Sequence, residues 1–247
     1  MRNAYLGIGR KETHVAFIIS AIKNWLVPSG TKPRSIQFGA FRGLRMNLDL
    51  RNQTQAWLGL AEREVFSYLR AFSQLAETGI DVGAADGEYT LFFMSQPNIK
   101  QVLAFDPSEC FPANLSANLA LNRFNSNVRS RLIRKYVGNH EDDDHCTLDS
   151  FASDLEGPCV VKIDVDGGEA AVLQGAQKLL DRKDVSWIIE THSLELEREC
   201  EHVLSSNGFS TTVIKNAWWR VLIPEQRPTP HNRWLAAWSD CPRLGQR

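Results

Sequence analysis

The stretch IDVGAADGEYT, residues Ile80–Thr90, decides the fold of this chain. A short apolar run breaks into a turn that contains glycine, and the turn leads into residues suited to a helix. Glycine lets the backbone pass close to a ligand, and the start of a helix offers unpaired N–H groups. The stretch therefore predicts a strand, a ligand-binding loop and a helix. A purely structural strand–helix turn is the alternative.

The residues of this loop favour a cationic ligand. The dinucleotide fingerprint requires G-x-G-x-x-G, whereas the turn reads GAADG over Gly83–Gly87. Asp81 ends the strand and Asp86 lies inside the turn, so a ligand without a pyrophosphate suits the site better. S-adenosylmethionine is such a ligand, because it carries an ammonium and a sulfonium. A nicotinamide-dependent oxidoreductase stays open as a less favoured reading.

Further apolar runs along the chain also end in acidic residues. Asp106 and Pro107 follow the run Gln101–Phe105, about twenty residues beyond the loop, where a ribose-binding carboxylate is expected. A helix-capping role is the alternative for Asp106. Asp164 follows the run Cys159–Ile163.

The last of these runs, Val185–Ile189, is followed by Glu190 and His192. Ligands of an open parallel sheet bind outside the carboxyl ends of its strands. We therefore expect the acids at the strand ends to converge on one crevice. These acids are Asp81, Asp106, Asp164 and Glu190.

The order of five motifs resembles the FkbM-type family of S-adenosylmethionine-dependent methyltransferases. The motifs are IDVGAADGEYT, AFDP, TLDSFA at Thr147–Ala152, VKIDVDGGEAAVLQGA and IIETH. The resemblance extends roughly from Gly43 to Trp238. The chain departs from the usual pattern at Asp86, Asp106 and Asp166.

The resemblance implies an α/β protein with the Rossmann-like class I methyltransferase fold. This fold has a seven-stranded, mostly parallel sheet that ends in an antiparallel hairpin. The implied activity is methylation of a hydroxyl group on a sugar or a small-molecule natural product. The residues predicted to bind S-adenosylmethionine are Asp81, Gly83, Ala84, Asp86, Tyr89, Asp106, Pro107, Gly138 and Asp164.

His192 is the predicted catalytic base, because an unperturbed imidazole titrates near neutral pH. Asp164 and Glu190 are predicted to orient His192, to bind hydroxyl groups of the substrate or to hold the methionyl ammonium. A strand-end histidine that only bonds a loop is the alternative. We predict no metal site, although a cation held by these three side chains is a further alternative.

Composition and charge limit the organisation and the partners. The chain has 247 residues, enough for one compact catalytic unit. We divide it into a lead-in segment, residues 1–75, and the cofactor-binding domain, residues 76–247. The lead-in segment is predicted to contain an amphipathic helix at His14–Val27, a linker, two short strands within residues 36–50 and a helix over residues 56–75. The 28 basic and 29 acidic side chains favour a small-molecule or glycan acceptor over nucleic acid. A homo-oligomer is compatible with the composition.

The cysteines and the apolar stretches bear on the cellular compartment. The five cysteines have neither disulfide nor C-x-x-C spacing, which favours a reducing cytoplasm. No apolar stretch reaches the roughly 18 residues that a membrane span requires. The charge run Glu141–His145 is predicted to be a solvated loop, with a position near the adenine as the alternative. A non-catalytic, cofactor-binding regulatory or scaffold protein also remains open.

Overall fold

The computed structural model describes residues 27–217 and 233–239. The helix predicted for His14–Val27 lies outside these ranges except for its last residue. The strands are β1 Lys32–Ser35, β2 Arg45–Leu48, β3 Thr78–Val82, β4 Gln101–Phe105, β5 Arg129–Ile133, β6 Tyr136–Val137, β7 His145–Cys146, β8 Cys159–Ile163, β9 Val185–Thr191, β10 Ser210–Ile214 and β11 Arg233–Trp238. The helices are α1 Leu50–Leu58, α2 Phe66–Ser73, α3 Glu88–Met94, α4 Phe111–Ala120, α5 Glu169–Gln174, α6 Gln177–Leu180 and α7 Leu194–Ser206.

A seven-stranded sheet with the order β10-β11-β9-β8-β3-β4-β5 forms the centre of the fold. Strands β9, β8, β3, β4 and β5 are parallel. Strand β11 runs antiparallel to both β9 and β10. The predicted Rossmann-like fold, with a seven-stranded, mostly parallel sheet and a terminal antiparallel hairpin, is confirmed.

The register of the parallel strands aligns their carboxyl ends. Val82 lies opposite both Phe105 and Ile163, which are the last residues of β4 and β8. The residues that follow these strands therefore begin at the same edge of the sheet. This alignment is why acids that are far apart in the sequence approach one another.

Apolar side chains cover both faces of the sheet. Val160 and Ile188 pack on one face in a cluster that includes residues of α2 and α3. Val161 and Ile189 point to the opposite face and pack with residues of α5 and α7. Because neighbouring residues of a strand point to opposite faces, a sheet buried on both sides needs uninterrupted apolar strands.

The segment before β3 packs on the same core as the sheet. Ile36 and Phe41 are buried in the cluster that holds α3. We predicted two strands within residues 36–50, but the first strand lies earlier, at β1, and pairs with β2. The single helix predicted for residues 56–75 is divided, because Gly59 adopts a left-handed conformation that ends α1. The division at residue 75 stays a prediction.

The described residues bear on two further expectations. No helix in the described ranges is both long and apolar enough to cross a bilayer. The four cysteines within these ranges, Cys110, Cys146, Cys159 and Cys200, are free thiols.

Candidate functional site

The loop after β3 is fixed between two neighbouring strands. The N–H groups of Gly83 and Ala84 both donate to the carbonyl oxygen of Phe105, at 2.9 Å. Gly83 has a φ of +77°, and a Cβ at this position would overlap the carbonyl oxygen of Asp164. Only glycine fits both the left-handed conformation and this close approach.

Asp106 lies against this loop, as its predicted ribose-binding role requires. Its two carboxylate oxygens accept the backbone N–H groups of Ala85, at 3.0 Å, and of Ser108, at 2.9 Å. Each carboxylate oxygen has a second lone pair, so Asp106 can still accept a bond from a ligand hydroxyl. Its ribose role stays a prediction.

Asp86 is held by amide side chains from both sides. Its carboxylate accepts Nε2 of Gln53 and Nδ2 of Asn114, each at 3.2 Å. Its carbonyl oxygen accepts Nδ2 of Asn118 at 2.8 Å. These bonds connect the loop after β3 to α1 and α4 and orient the turn.

A buried lysine that we did not predict lies beneath the loop. Lys162 is 2% exposed, and its Nζ lies 3.3 Å from Asp81 and 3.6 Å from Asp164. The same Nζ donates to the carbonyl oxygen of Gly83 at 2.8 Å. Burial alone would lower the pKa of Lys162, but the charges of Asp81 and Asp164 outweigh it and raise this pKa above its usual value.

Asp81 therefore takes a different position from the one expected. Its side chain is fully buried, and one carboxylate oxygen accepts the hydroxyl of Thr90 at 2.6 Å. Its charge is matched by Lys162 and is directed into the protein rather than into an open crevice. Its predicted contact with the cofactor stays untested.

A pocket of about 200 Å³ opens over the loop. It is lined by Met46, Leu48, Gln53, Ala56, Glu62, Gly83, Ala84, Ala85, Asp86, Glu88, Tyr89, Lys162 and Asp164. Several predicted cofactor-binding residues thus line the same pocket as Glu62 of the lead-in segment. The predicted residues Asp81, Asp106, Pro107 and Gly138 are outside this lining.

Gly138 lies instead in the loop between β6 and β7. Its N–H donates to the carbonyl oxygen of Cys146 at 2.9 Å. Its carbonyl oxygen packs so closely on Gly175 that a Cβ there would overlap it. These contacts give Gly138 a packing role, and its predicted contact with the cofactor stays untested.

Glu62, Glu88 and Tyr89 form an acidic group in the pocket. The hydroxyl of Tyr89 donates to Glu62 at 2.6 Å. Burial and the nearby charge of Glu62 raise the pKa of Glu88 to about 8. Glu88 Oε1 is buried without a hydrogen-bond partner among the described residues. Glu62 was not predicted from the sequence, because 27 residues separate it from Tyr89.

His192 lies behind Asp164, in a carboxylate-rich centre. Its Nδ1 is bonded to the fully buried carboxylate of Glu169. Its Nε2 lies 3.3 Å from Asp166 and 3.7 Å from Asp164. The bond to Glu169 raises the pKa of His192 more than burial lowers it, and the charges of Asp164 and Asp166 add to the increase.

Glu169 is a further residue of this centre that we did not predict. It follows the glycine pair after β8, and the N–H of Gly167 donates to it at 3.2 Å. Its place in a motif suggested no role, because its partner His192 lies 23 residues further along the chain.

The predicted catalytic residues do come together. One ligand atom from each of Asp164, Glu190 and His192 lies within 4.8 Å of the other two. Glu190 is 3% exposed. Oxygen and imidazole donors at this spacing are able to hold a divalent cation, so this alternative stays open beside the acid–base role.

A family comparison now identifies part of the chain. Residues 124–210 match the model of the Methyltransferase FkbM domain. Over these residues the chain is similar to an FkbM methyltransferase domain. The matched region includes Asp164, Glu169, Glu190 and His192, whereas the loop after β3 precedes it. The predicted family is confirmed, and with it S-adenosylmethionine as the cofactor class.

Several solved structures are similar to this chain. An rRNA methylase from Streptococcus thermophilus has 16% identity and a TM-score of 0.49, covering 72% of this chain and 98% of its own. Methyltransferase FkbM from Methylobacillus flagellatus has 16% identity and a TM-score of 0.49, covering 66% of this chain and 44% of its own. A Streptococcus mutans protein in complex with SAH has 15% identity and a TM-score of 0.47, covering 71% of this chain and 97% of its own. None of the curated proteins matches this chain.

Proposed function

We propose that the chain is an S-adenosylmethionine-dependent O-methyltransferase that acts on a hydroxyl group of a sugar or a small-molecule natural product. The observation that carries this proposal is the pair Glu169–His192 behind Asp164. Asp164 lines the pocket and lies 3.7 Å from Nε2 of His192. A carboxylate-oriented imidazole therefore adjoins the pocket predicted to hold the cofactor.

The acidic pocket fits a cationic cofactor. Glu62, Asp86, Glu88 and Asp164 line it, and the only basic residue of this lining is Lys162. An unpartnered buried oxygen such as Glu88 Oε1 is costly, and a bound cation would compensate it. The same charges oppose the pyrophosphate of a nicotinamide cofactor.

The residues in the pocket suggest how the cofactor is held. The backbone of the loop Gly83–Ala85 gives close approach, and Glu62 and Glu88 offer carboxylates to the methionyl ammonium. Asp106 lies against the same loop and would accept the ribose hydroxyls. Bound S-adenosylmethionine supplies an electrophilic methyl group.

His192 is the proposed proton acceptor. The bond between Nδ1 and Glu169 favours the tautomer whose Nε2 carries the lone pair. Nε2 would take the proton of the acceptor hydroxyl, and Glu169 would stabilise the imidazolium that forms. Asp164 and Asp166 lie near Nε2 and would orient the acceptor.

Calorimetry with S-adenosylmethionine, S-adenosylhomocysteine and NAD tests the cofactor assignment. We expect the first two ligands to bind at micromolar concentrations and NAD not to bind. Because the pKa of Glu88 is about 8, this side chain is mostly protonated at pH 7. A cationic ligand should therefore release a proton, detected as a binding enthalpy that depends on the buffer. Glu88→Gln is the matched control, and NAD binding alone would overturn the proposal.

The role of Asp106 is tested by removing its carboxylate and the ribose hydroxyls of the ligand, first separately and then together. Asp106→Ala should weaken binding of S-adenosylhomocysteine. The variant also loses two loop bonds, so the ligand must be changed as well. Removing the ribose hydroxyls from the ligand should weaken binding to the wild type but not to the variant. Equal losses in both proteins would exclude the ribose contact.

Turnover on a panel of acceptors separates an enzyme from a cofactor-binding scaffold. The panel contains sugars, small hydroxylated natural products and a short RNA as the competing class. We expect transfer to a member of the first two classes. Cofactor binding without transfer to any acceptor would favour the scaffold, and transfer to RNA alone would overturn the acceptor class.

A further inference from the structure

The exposed loop between β6 and β7 holds a cluster of metal-binding side chains outside the pocket. His140, Asp142 and His145 each offer one ligand atom within 4.8 Å of the other two. None of them lines the pocket over the loop after β3. The sequence indicated only a solvated charge run here, because the convergence of its side chains depends on the path of the loop.

We propose that His140, Asp142 and His145 bind a divalent transition metal ion of the zinc type. Two imidazoles and one carboxylate are ligands that zinc prefers, and they leave a fourth position for water. Magnesium prefers an all-oxygen set and is a poorer match. The inference does not depend on the proposed methyl transfer.

The backbone positions the carboxylate of Asp142. Its Oδ1 accepts the N–H groups of Asp144, at 2.9 Å, and of His145, at 2.7 Å. Nδ1 of His145 lies 2.8 Å from the same oxygen. The carboxylate of Asp142 is therefore held in one position within the loop.

A hydrogen bond to Asn139 orients His140. Nδ1 of His140 lies 3.2 Å from Oδ1 of Asn139, whose amide nitrogen donates to Gln174 at 2.9 Å. With Nδ1 occupied, Nε2 is left as the ligand atom, and it lies 3.6 Å from Asp142. Outer-shell bonds of this kind fix the tautomer and direction of metal-binding histidines.

The loop around the cluster is closed by the short pairing of β6 with β7. Tyr136 is opposite His145 in this pairing, and their rings stack at 5.2 Å. Lys135 Nζ donates to the carbonyl oxygen of Asp142 at 2.7 Å, so one cation already lies nearby. Glu141, Asp143 and Asp144 outnumber it and give the loop an acidic surface.

Zinc titration of the chelator-treated full chain tests the proposal. We expect one equivalent of Zn²⁺ to bind, and Co²⁺ to give the visible absorption of a low-coordinate site. His140→Ala and His145→Ala should each abolish this binding. The control His202→Ala removes an exposed histidine of α7 and should bind as the wild type does. Asn139→Ala should lower the affinity by about 10- to 100-fold.

His192→Ala separates this cluster from the histidine centre of the candidate active site. Binding that survives His192→Ala but is lost in His140→Ala supports the proposal. Binding that is lost only in His192→Ala places the metal at the other centre and overturns it. No binding to the wild type, or unchanged binding in His140→Ala and His145→Ala, also overturns it. Unchanged thermal unfolding of the metal-free variants verifies that they fold.

Discussion

Lys162→Met removes the one positive charge that matches the buried carboxylate of Asp81. The variant keeps most of the length of the side chain. The fully buried carboxylate of Asp81 keeps its hydrogen bond from Thr90 but loses the positive charge of Lys162. The carbonyl oxygen of Gly83 also loses its donor at 2.8 Å. Breaking a buried ion pair by removing one partner costs about 3–5 kcal/mol of the free energy of unfolding. We expect a loss of this size.

The distance between Lys162 and Asp81 supports a loss of this size. At the 3.3 Å between Lys162 Nζ and Asp81, the Coulomb attraction is about 5 kcal/mol for an effective dielectric constant of about 20. A domain of this length loses about 2–4 °C of melting temperature per kcal/mol. The variant should therefore melt roughly 6–20 °C below the wild type. Chemical denaturation and thermal unfolding followed by circular dichroism measure both quantities.

The double variant Lys162→Met, Asp81→Asn distinguishes charge from packing. Asp81→Asn keeps an oxygen for Thr90 but removes the negative charge. If the two charges stabilise each other, the double variant should be less destabilised than the sum of the single variants, by about 0.5–3 kcal/mol. Additive losses would refute the ion pair as the cause.

Three further outcomes follow from single positions. Gly83→Ala should lower the free energy of unfolding by roughly 2–5 kcal/mol, because of the left-handed φ and the overlap of the added Cβ. At Gly138 an added Cβ meets nothing within 4 Å, so Gly138→Ala should change this free energy by less than about 0.5 kcal/mol. Equal losses in denaturation experiments would contradict this reasoning. The folded-state pKa of Glu88, about 8, exceeds its usual value of 4.5, so its contribution to stability is full below pH 4.5 and is lost as pH rises to about 8. Glu88→Gln should flatten that part of a stability–pH curve, and an unchanged slope would exclude Glu88 as its source. His192→Ala should slow methyl transfer by about 10²- to 10⁴-fold without changing cofactor affinity. Because Glu169 raises the pKa of His192, the wild-type rate should rise with pH at a midpoint above 6.5, and this midpoint should be lower in Glu169→Gln. A midpoint that does not move would exclude Glu169 as the orienting group.

The order of motifs predicted the fold, and it predicted the strand ends at which we propose the site. Apolar runs that end in Asp106, Asp164 and Glu190 predict parallel strands with acids at their exits. The aligned register of β3, β4 and β8 then brings such ends together in any sheet of this type. Gly83 indicated the close backbone approach, because no other residue adopts its conformation without strain.

Only the tertiary structure decided which charges pair. Asp81 and Lys162 are opposite each other in the register of β3 and β8. The charge of Asp81 is therefore matched inside the protein rather than in an open crevice. A single lysine within an apolar strand was the one signal in the sequence for this pair. Glu62 reaches Tyr89, and Glu169 reaches His192, across 27 and 23 residues. Such partners are set by distance and burial in the folded chain, because Coulomb and desolvation energies depend on spatial separation and not on spacing along the sequence.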